Sequence, residues 1–208
     1  GLNIADVADP AGMIPFRSFG KLLYAGVKAT GLEHLGLLVG SRASLEFLGP
    51  VGMLMRNAPT LGEALTDLVR NQHRYVRGSA VYAMKEGSRL FIGYTVHQRQ
   101  TPGVLQILEG GVAAALQYIA ELIRQKPPLE VVLPRSQPGD AGQWHRFLGK
   151  AITFGNGHAG ILIPSSLLQH KLPDADPRER QRLEEWMADY MIANWPDMKS
   201  RLERASAE

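Results

Sequence analysis

The side chains best suited to hold a small molecule lie in two neighbouring stretches of the chain. They are aromatic rings and hydrogen-bonding groups, and the six of them are His73, Arg74, Tyr75, Tyr82, Tyr94 and His97. The first three follow a helical pattern, and the other three lie on or just after two strand-like segments. Ligand pockets combine an apolar lining with a few polar groups that fix orientation. We therefore predict that these six residues line a small-molecule site.

Residues that would carry catalysis form no complete motif. Ser18 and Lys21 have the serine–lysine spacing of penicillin-recognising enzymes, but neither Ser-Asp-Asn nor Lys-Thr-Gly follows them. The sequence has no Gly-x-Ser-x-Gly nucleophile elbow, and the glycines of 36–40 lack the lysine of a phosphate-binding loop. A small-molecule enzyme is therefore the least favoured class of protein, and we predict no catalytic residues.

Metal and cofactor binding also lack a clear signal. None of the six histidines has a second histidine three or four residues away, and the chain has no cysteine, so we predict no zinc site. A lone histidine is a sufficient ligand for haem. Because helices followed by a sheet loosely resemble haem-based gas sensors, a haem or other cofactor-based sensor stays an alternative. Our prediction is that the chain binds no cofactor.

Composition favours one globular domain with a possible helical extension. The chain has 208 residues, of which 45% are hydrophobic, and this is ample for a core. Its net charge of +3 is too small to indicate a nucleic-acid surface. No secretory signal or membrane-spanning run is visible. Together with the lack of cysteine, this predicts a cytoplasmic protein with no membrane partner.

The front half of the chain has helical periodicity and the middle has strand periodicity. Apolar residues spaced three and four apart predict that residues 1–57 are helical, and Thr60 with Glu63 is a capping box that opens a further helix. From Ala80, alternation on both sides of a Glu-Gly-Ser turn predicts an antiparallel hairpin. Thr101-Pro102 then predicts the cap and first residue of the longest helix.

A second hairpin is predicted nearer the C-terminus. Two short apolar runs, 151–154 and 161–163, flank Gly155-Asn156-Gly157. Glycine and asparagine tolerate the positive φ angles that a tight hairpin turn requires. We therefore predict that these two runs pair as neighbouring antiparallel strands.

The order of these signals resembles a known family. Between Trp144 and Pro173 stand an aromatic helix ending at a glycine, a strand reaching Phe154, a glycine-rich turn, and Ile-Leu-Ile-Pro with Leu-Leu and Leu-Pro behind it. The segments Leu35–Gly40 and Pro59–Leu65 fit the same family in order and spacing. The sequence is similar to the N-terminal effector domain of one branch of the AraC/XylS-type bacterial transcription regulators, which carry the label "arabinose-binding" by name only.

The resemblance implies a regulatory domain that senses an unknown small-molecule effector and forms a homodimer. It implies that DNA is bound only through a C-terminal helix-turn-helix domain. Nothing after Lys171 has the pattern of such a unit, so we expect the DNA-binding domain to be absent from this chain and the chain to be a fragment.

The C-terminal stretch is the candidate for that dimer contact or for a linker. Asp176-Pro177 with Glu179 is a helix-start signal. The apolar stripe that follows consists of Leu183, Trp186, Met187, Tyr190 and Met191. We predict residues 174–208 to be a helical dimerisation or linker segment.

The predicted fold class is α+β. A helical N-terminal part (1–78) is followed by an antiparallel β-sheet with a long helix packed on it (79–173). Together these form an effector-binding domain of residues 1–173, and the helical tail follows.

Overall fold

A computed structural model describes residues 14–72, 78–98 and 100–194, which form a sheet covered by helices. The predicted α+β class and its order of parts are confirmed. One main apolar core joins the sheet, the long helix and most of the shorter helices.

The front of the described chain is helical, as predicted. Its helices are α1 (Phe16–Thr30), α2 (Leu35–Gly40), α3 (Pro50–Arg56) and α4 (Leu61–Asn71), with a 3-10 turn at Leu45–Leu48 before α3. The Thr60 hydroxyl accepts a hydrogen bond from the backbone N–H of Glu63 at 3.3 Å, so the predicted cap of α4 is confirmed.

In the described residues, five strands form one sheet in the order β1-β2-β5-β3-β4. They are β1 (Ser79–Glu86), β2 (Arg89–Val96), β3 (Glu130–Val132), β4 (Ile152–Thr153) and β5 (Ala159–Pro164). The predicted hairpin is confirmed, because β1 and β2 pair antiparallel from Ser79↔Val96 to Glu86↔Arg89. The buried strand β5 lies at the centre, antiparallel to both β2 and β3.

The second predicted hairpin is wrong, because β4 and β5 are not neighbours. Strand β3 lies between them, and β4 pairs with β3 in parallel, which makes the sheet mixed. The turn amides explain the difference. Gly155 N–H donates to the carbonyl of Arg135 and Asn156 N–H donates to that of Leu133, so the glycine-rich turn is bound to the segment after β3.

The long helix α5 (Val104–Ile123) packs against β2 and β5 on one side and α2 on another. Its predicted start is wrong: Gly103, at φ 69°, precedes the first helical residue, and Thr101 and Pro102 lie in the turn before it. The Thr101 hydroxyl does not cap the helix. It is buried and has no hydrogen-bond partner among the described residues.

Three further helices complete the described part: α6 (Gly142–Leu148), α7 (Ser165–Leu168) and α8 (Pro177–Asn194). The Asp176 carboxylate accepts hydrogen bonds from the N–H groups of Arg178 and Glu179 at 2.9 and 3.2 Å, as the helix-start signal predicts. Helix α8 then runs back against α3. No described helix combines the length and the apolar character needed to cross a bilayer.

Candidate functional site

An apolar cavity lies between α4, α5 and the face of the sheet that points into the core. Its volume is about 130 Å³. Two other cavities with Tyr94 in their lining are larger, at about 240 and 360 Å³. The first cavity is lined by Leu48, Leu68, Gln72, Val81, Ile92, Gly93, Tyr94, Gly111, Val112, Ala114, Ala115, Tyr118, Gly160 and Ile161. None of these described lining residues carries a charge.

Small residues on α5 keep this cavity open. Gly111, Ala114 and Ala115 form the helix side, and the ring of Tyr94 lies so close to Gly111 that an added Cβ would approach it to 2.5 Å. The floor includes the backbone of Gly93 and Gly160, which pair across β2 and β5. A larger side chain at either alanine would therefore occupy the space directly.

A short hydrogen-bond chain closes one end of the cavity. The Tyr94 hydroxyl donates to Oγ of Ser79 at 2.9 Å, and Nε2 of Gln72 donates to the same oxygen at 3.3 Å. Oε1 of Gln72 accepts from the N–H of Val81 at 3.3 Å. Burial raises the pKa of Tyr94, and its hydrogen bond with Ser79 acts in the opposite direction. Tyr94 is therefore a neutral hydroxyl at physiological pH.

Tyr118 is the second tyrosine of the cavity wall. Burial raises its pKa to about 12, and the nearby Tyr94 and Glu121 act in the same direction. It too stays neutral, so the polar groups of the described lining are all uncharged.

The structure brings one of the described predicted ligand residues, Tyr94, into this cavity. Val81 pairs with Tyr94 and Tyr82 pairs with Gly93, so Tyr82 and Tyr94 point to opposite faces of the sheet. Tyr82 covers Gly93 on the outer face, where its hydroxyl lies 3.0 Å from Nδ1 of His158. His97 is exposed just after β2. His73, Arg74 and Tyr75 lie outside the described residues.

Sequence reasoning missed most of the lining. Ala114 and Ala115 stand within a run of small residues on α5, and such a run is equally compatible with close approach of another backbone. That close approach also exists. Gly36 and Gly40 of α2 meet α5 so tightly that an added Cβ would lie 2.1 Å from the carbonyl oxygens of Gln106 and Gly110, respectively.

A second polar cluster lies at the other side of α5. The fully buried Glu109 is bound by the guanidinium of Arg135, and the indole N–H of Trp144 donates to it at 3.3 Å. The Arg135 guanidinium also stacks over the Trp144 ring at 5.0 Å. Burial raises the pKa of Glu109, and Arg135 opposes that shift. The cluster ties α5 to α6, so we interpret it as structural.

The C-terminal helix is fixed to the body by an ion pair. The Arg180 guanidinium donates to both carboxylate oxygens of the buried Asp67 on α4, at 2.6 and 3.1 Å. Hydrogen bonding to Asp67 raises the pKa of Arg180.

The apolar stripe of this helix serves its own chain in part. Leu183 and Met187 are buried in the main core, while the Trp186 side chain is 49% exposed. Two of the five predicted dimer-helix residues are thus used within the protomer, because α8 packs on α3. The side chains of Tyr190 and Met191 lie outside the described part.

The geometry thus consists of an apolar cavity beneath the long helix and an ion pair that binds the C-terminal helix to α4. Residues 1–172 match the family described as the arabinose-binding domain of AraC transcription regulators, N-terminal, and the chain belongs to this family. The resemblance seen in the sequence is confirmed. No curated protein matches the chain.

A solved structure has the same fold. It is the transcriptional regulator CdpR from Pseudomonas aeruginosa, with a TM-score of 0.63 and 21% sequence identity, over 82% of this chain and 56% of that one. At this identity the likeness concerns the fold. This chain spans little more than half the length of that regulator.

Proposed function

We propose that this chain is the effector-sensing domain of an AraC-type transcription regulator, and that the cavity beneath α5 is its effector site. The observation that carries the proposal is the position of the cavity. It lies between the sheet and two helices, one of which also holds the C-terminal helix.

Helix α4 supplies the path from the cavity to that C-terminal helix. Leu68 lines the cavity, and its neighbour Asp67 binds Arg180 of α8. A ligand that moves α4 would change the geometry of this ion pair. Such a ligand shifts the equilibrium between two positions of α8 only if it binds them with different affinity. We propose that α8 passes this shift to a DNA-binding domain outside this chain.

Support for a role in transcription comes from the family description and from the regulator that shares the fold. The proposal is a cytoplasmic homodimer that reaches DNA through a C-terminal helix-turn-helix domain. Tyr190 and Met191 continue the apolar stripe of α8 past its buried residues and are our candidates for the dimer contact.

Sedimentation velocity tests that contact. The double variant Tyr190→Ser/Met191→Ser should be monomeric at concentrations where the wild type is a dimer. The matched control is Arg182→Ser/Glu185→Ser, which changes exposed residues of the same helix and should stay dimeric. An unchanged dimer in the first variant would refute the assignment.

A thermal-shift screen tests the effector site. Amino acids, sugars, fatty acids and aromatic acids are added in turn, because a ligand that binds the native state raises the melting temperature. Ala115→Leu fills the cavity, whereas Ala120→Leu makes the same change on the same helix at a separate surface groove. A true effector should stabilise the wild type and Ala120→Leu but not Ala115→Leu. A shift that persists in Ala115→Leu places the ligand elsewhere.

A further inference from the structure

We infer that the effector is a neutral, largely hydrocarbon molecule the size of a single six-membered ring, and not a sugar or a carboxylate. This inference rests on the proposed function, since it assigns a chemical class to the ligand of the same cavity. Three properties of the cavity support it: its volume, its few free hydrogen-bonding positions and the absence of charge among the described residues of its lining.

The volume sets the size of the ligand. The cavity measures about 130 Å³. For comparison, an engineered apolar cavity of about 150 Å³ stays dry and binds benzene. A single ring with one small substituent therefore fits this cavity. A larger ligand would have to extend into the neighbouring cavity of about 240 Å³, which shares Tyr94, Gly111 and Ala114 with it.

The polar groups at the end of the cavity have little left to offer a ligand. The Tyr94 hydroxyl hydrogen and one Gln72 N–H already bind Ser79, and Oε1 of Gln72 already accepts from Val81. What remains is a lone pair on Tyr94, a second lone pair and a second N–H on Gln72, and the Tyr118 hydroxyl. These groups satisfy one amide or hydroxyl group on the ligand. A sugar carries hydroxyls on every side, and those against Val112, Ala115 and Ile161 would lose water without gaining a partner.

The uncharged lining sets the charge of the ligand. A carboxylate that enters an apolar site loses its hydration, and it binds well only where a cation or several donors replace the water. No lysine, arginine or histidine is among the described residues of the lining. The few remaining donors belong to neutral side chains, which favours a neutral ligand over its anionic analogue.

Benzamide and benzoate test this directly, because the two molecules have nearly the same shape and differ in charge. Their dissociation constants are measured by calorimetry on the wild type, Ala115→Leu and Ala120→Leu, with L-arabinose as the third probe. We expect benzamide to bind the wild type and Ala120→Leu but not Ala115→Leu. Benzoate should bind at least about tenfold more weakly, since its charge has no partner. L-arabinose should show no heat of binding.

Ala115→Val is a milder filling variant and keeps the test valid if Ala115→Leu does not fold. It should weaken benzamide binding without a large change in melting temperature. Benzamide binding that neither filling variant changes would overturn the cavity assignment and with it the proposed site.

Other outcomes overturn the ligand class alone. Benzoate or L-arabinose binding as tightly as benzamide, with loss of that binding in Ala115→Leu, would keep the site and reject the neutral class. Arg74→Gln then tests one source of charge, because Arg74 is among the six residues predicted to line the site and follows Gln72 by two residues. Absence of benzamide binding to the wild type also rejects the class, while any hit in the wider screen that Ala115→Leu abolishes would preserve the proposed function.

Discussion

At the scale of single residues, Tyr94 joins the two halves of the candidate site. Its ring lies against Gly111 of α5, and its hydroxyl binds Ser79 at the start of β1. The same ring therefore forms part of the apolar wall and part of the polar end. Because the hydroxyl stays protonated, its field does not repel an anion. Anions should bind weakly because an anion loses its hydration on entering the cavity.

Tyr118 should limit stability at alkaline pH. Its pKa is raised to about 12 from the ordinary 10.0, mainly by burial. Between these values the unfolded chain loses the proton while the folded chain keeps it, so the free energy of unfolding should fall as pH rises from about 10 towards 12. Urea unfolding at stepped pH should show a smaller fall in Tyr118→Phe. Tyr24→Phe, which changes an exposed ring, should keep the wild-type dependence; an equal dependence in all three proteins would contradict the role of Tyr118.

The buried pair of Glu109 and Arg135 should be costly to break. Arg135→Met leaves the carboxyl of Glu109 without its cation inside the core, and such a change typically costs about 3–5 kcal/mol. The control is Arg89→Met, whose ion pair with Glu130 is exposed and should cost at most about 1 kcal/mol. Urea unfolding gives both values. Similar losses of unfolding free energy in the two variants would mean that water replaces the contact between Glu109 and Arg135.

The sequence prediction grouped Tyr94 with Tyr82. Tyr94 lines the cavity beneath α5, and both tyrosines line a separate cavity of about 360 Å³. The alternation of β1 and β2 was visible, yet the register that puts Tyr82 opposite Gly93 depends on the turn length. A shift of one residue moves a side chain to the other face of a sheet. Which tyrosine faces the helix therefore becomes known only when the register is fixed.

At the scale of elements, local signals predicted the helices, the β1–β2 hairpin and the strands β4 and β5, but the predicted pairing of β4 with β5 was wrong. Gly155-Asn156-Gly157 has the composition of a tight hairpin turn. In the folded chain, β3 occupies the edge of β5 on which β4 would pair, through contacts such as Val131↔Ile161. Competition between strands far apart in sequence decides this arrangement, and no local pattern encodes it. The predicted start of α5 was also wrong. Gly103 takes a left-handed conformation at the end of the preceding turn, so the helix begins after it.

The packing of α2 on α5 gives a prediction at this scale. An added Cβ at Gly40 would lie 2.1 Å from the carbonyl oxygen of Gly110, so one of the two helix backbones must move. Gly40→Ala should therefore destabilise the fold by about 2 kcal/mol or more, the upper part of the range for overpacking. Gly139→Ala is the control, because an added Cβ there meets nothing within 4 Å. The free energy of unfolding of Gly139→Ala, from thermal or urea unfolding, should be near that of the wild type. A wild-type free energy for Gly40→Ala would show that α2 and α5 move apart without loss of stability.

At the scale of the whole molecule, the C-terminal helix α8 packs on the rest of its own chain. Its stripe was visible in the sequence, but an apolar stripe does not say which surface will cover it. The structure covers Leu183 and Met187 with the chain's own core and adds the Asp67–Arg180 pair. These contacts explain why α8 packs beside α3 of its own chain. Leu183 and Met187 need no second protomer to cover them.

The clamp between Asp67 and Arg180 should control how α8 responds to a ligand. Arg180→Met removes both hydrogen bonds to Asp67, while Leu183 and Met187 still pack, so α8 should open more often without global unfolding. Hydrogen exchange should then be faster by about tenfold or more in the α8 amides, the change that a loss of about 1.4 kcal/mol of local stability produces. Arg182→Met is the matched control, because its ion pair with Glu179 lies on the exposed side of the same helix and contributes little.

A ligand of the cavity supplies the decisive comparison. In the wild type and in Arg182→Met, it should change exchange in α8 as well as in α4, because Leu68 and Asp67 are adjacent on α4. In Arg180→Met it should still bind and still protect α4, but the change in α8 should disappear. A response of α8 that survives the loss of Arg180 would place the coupling elsewhere, for instance in the packing of α3 on α8.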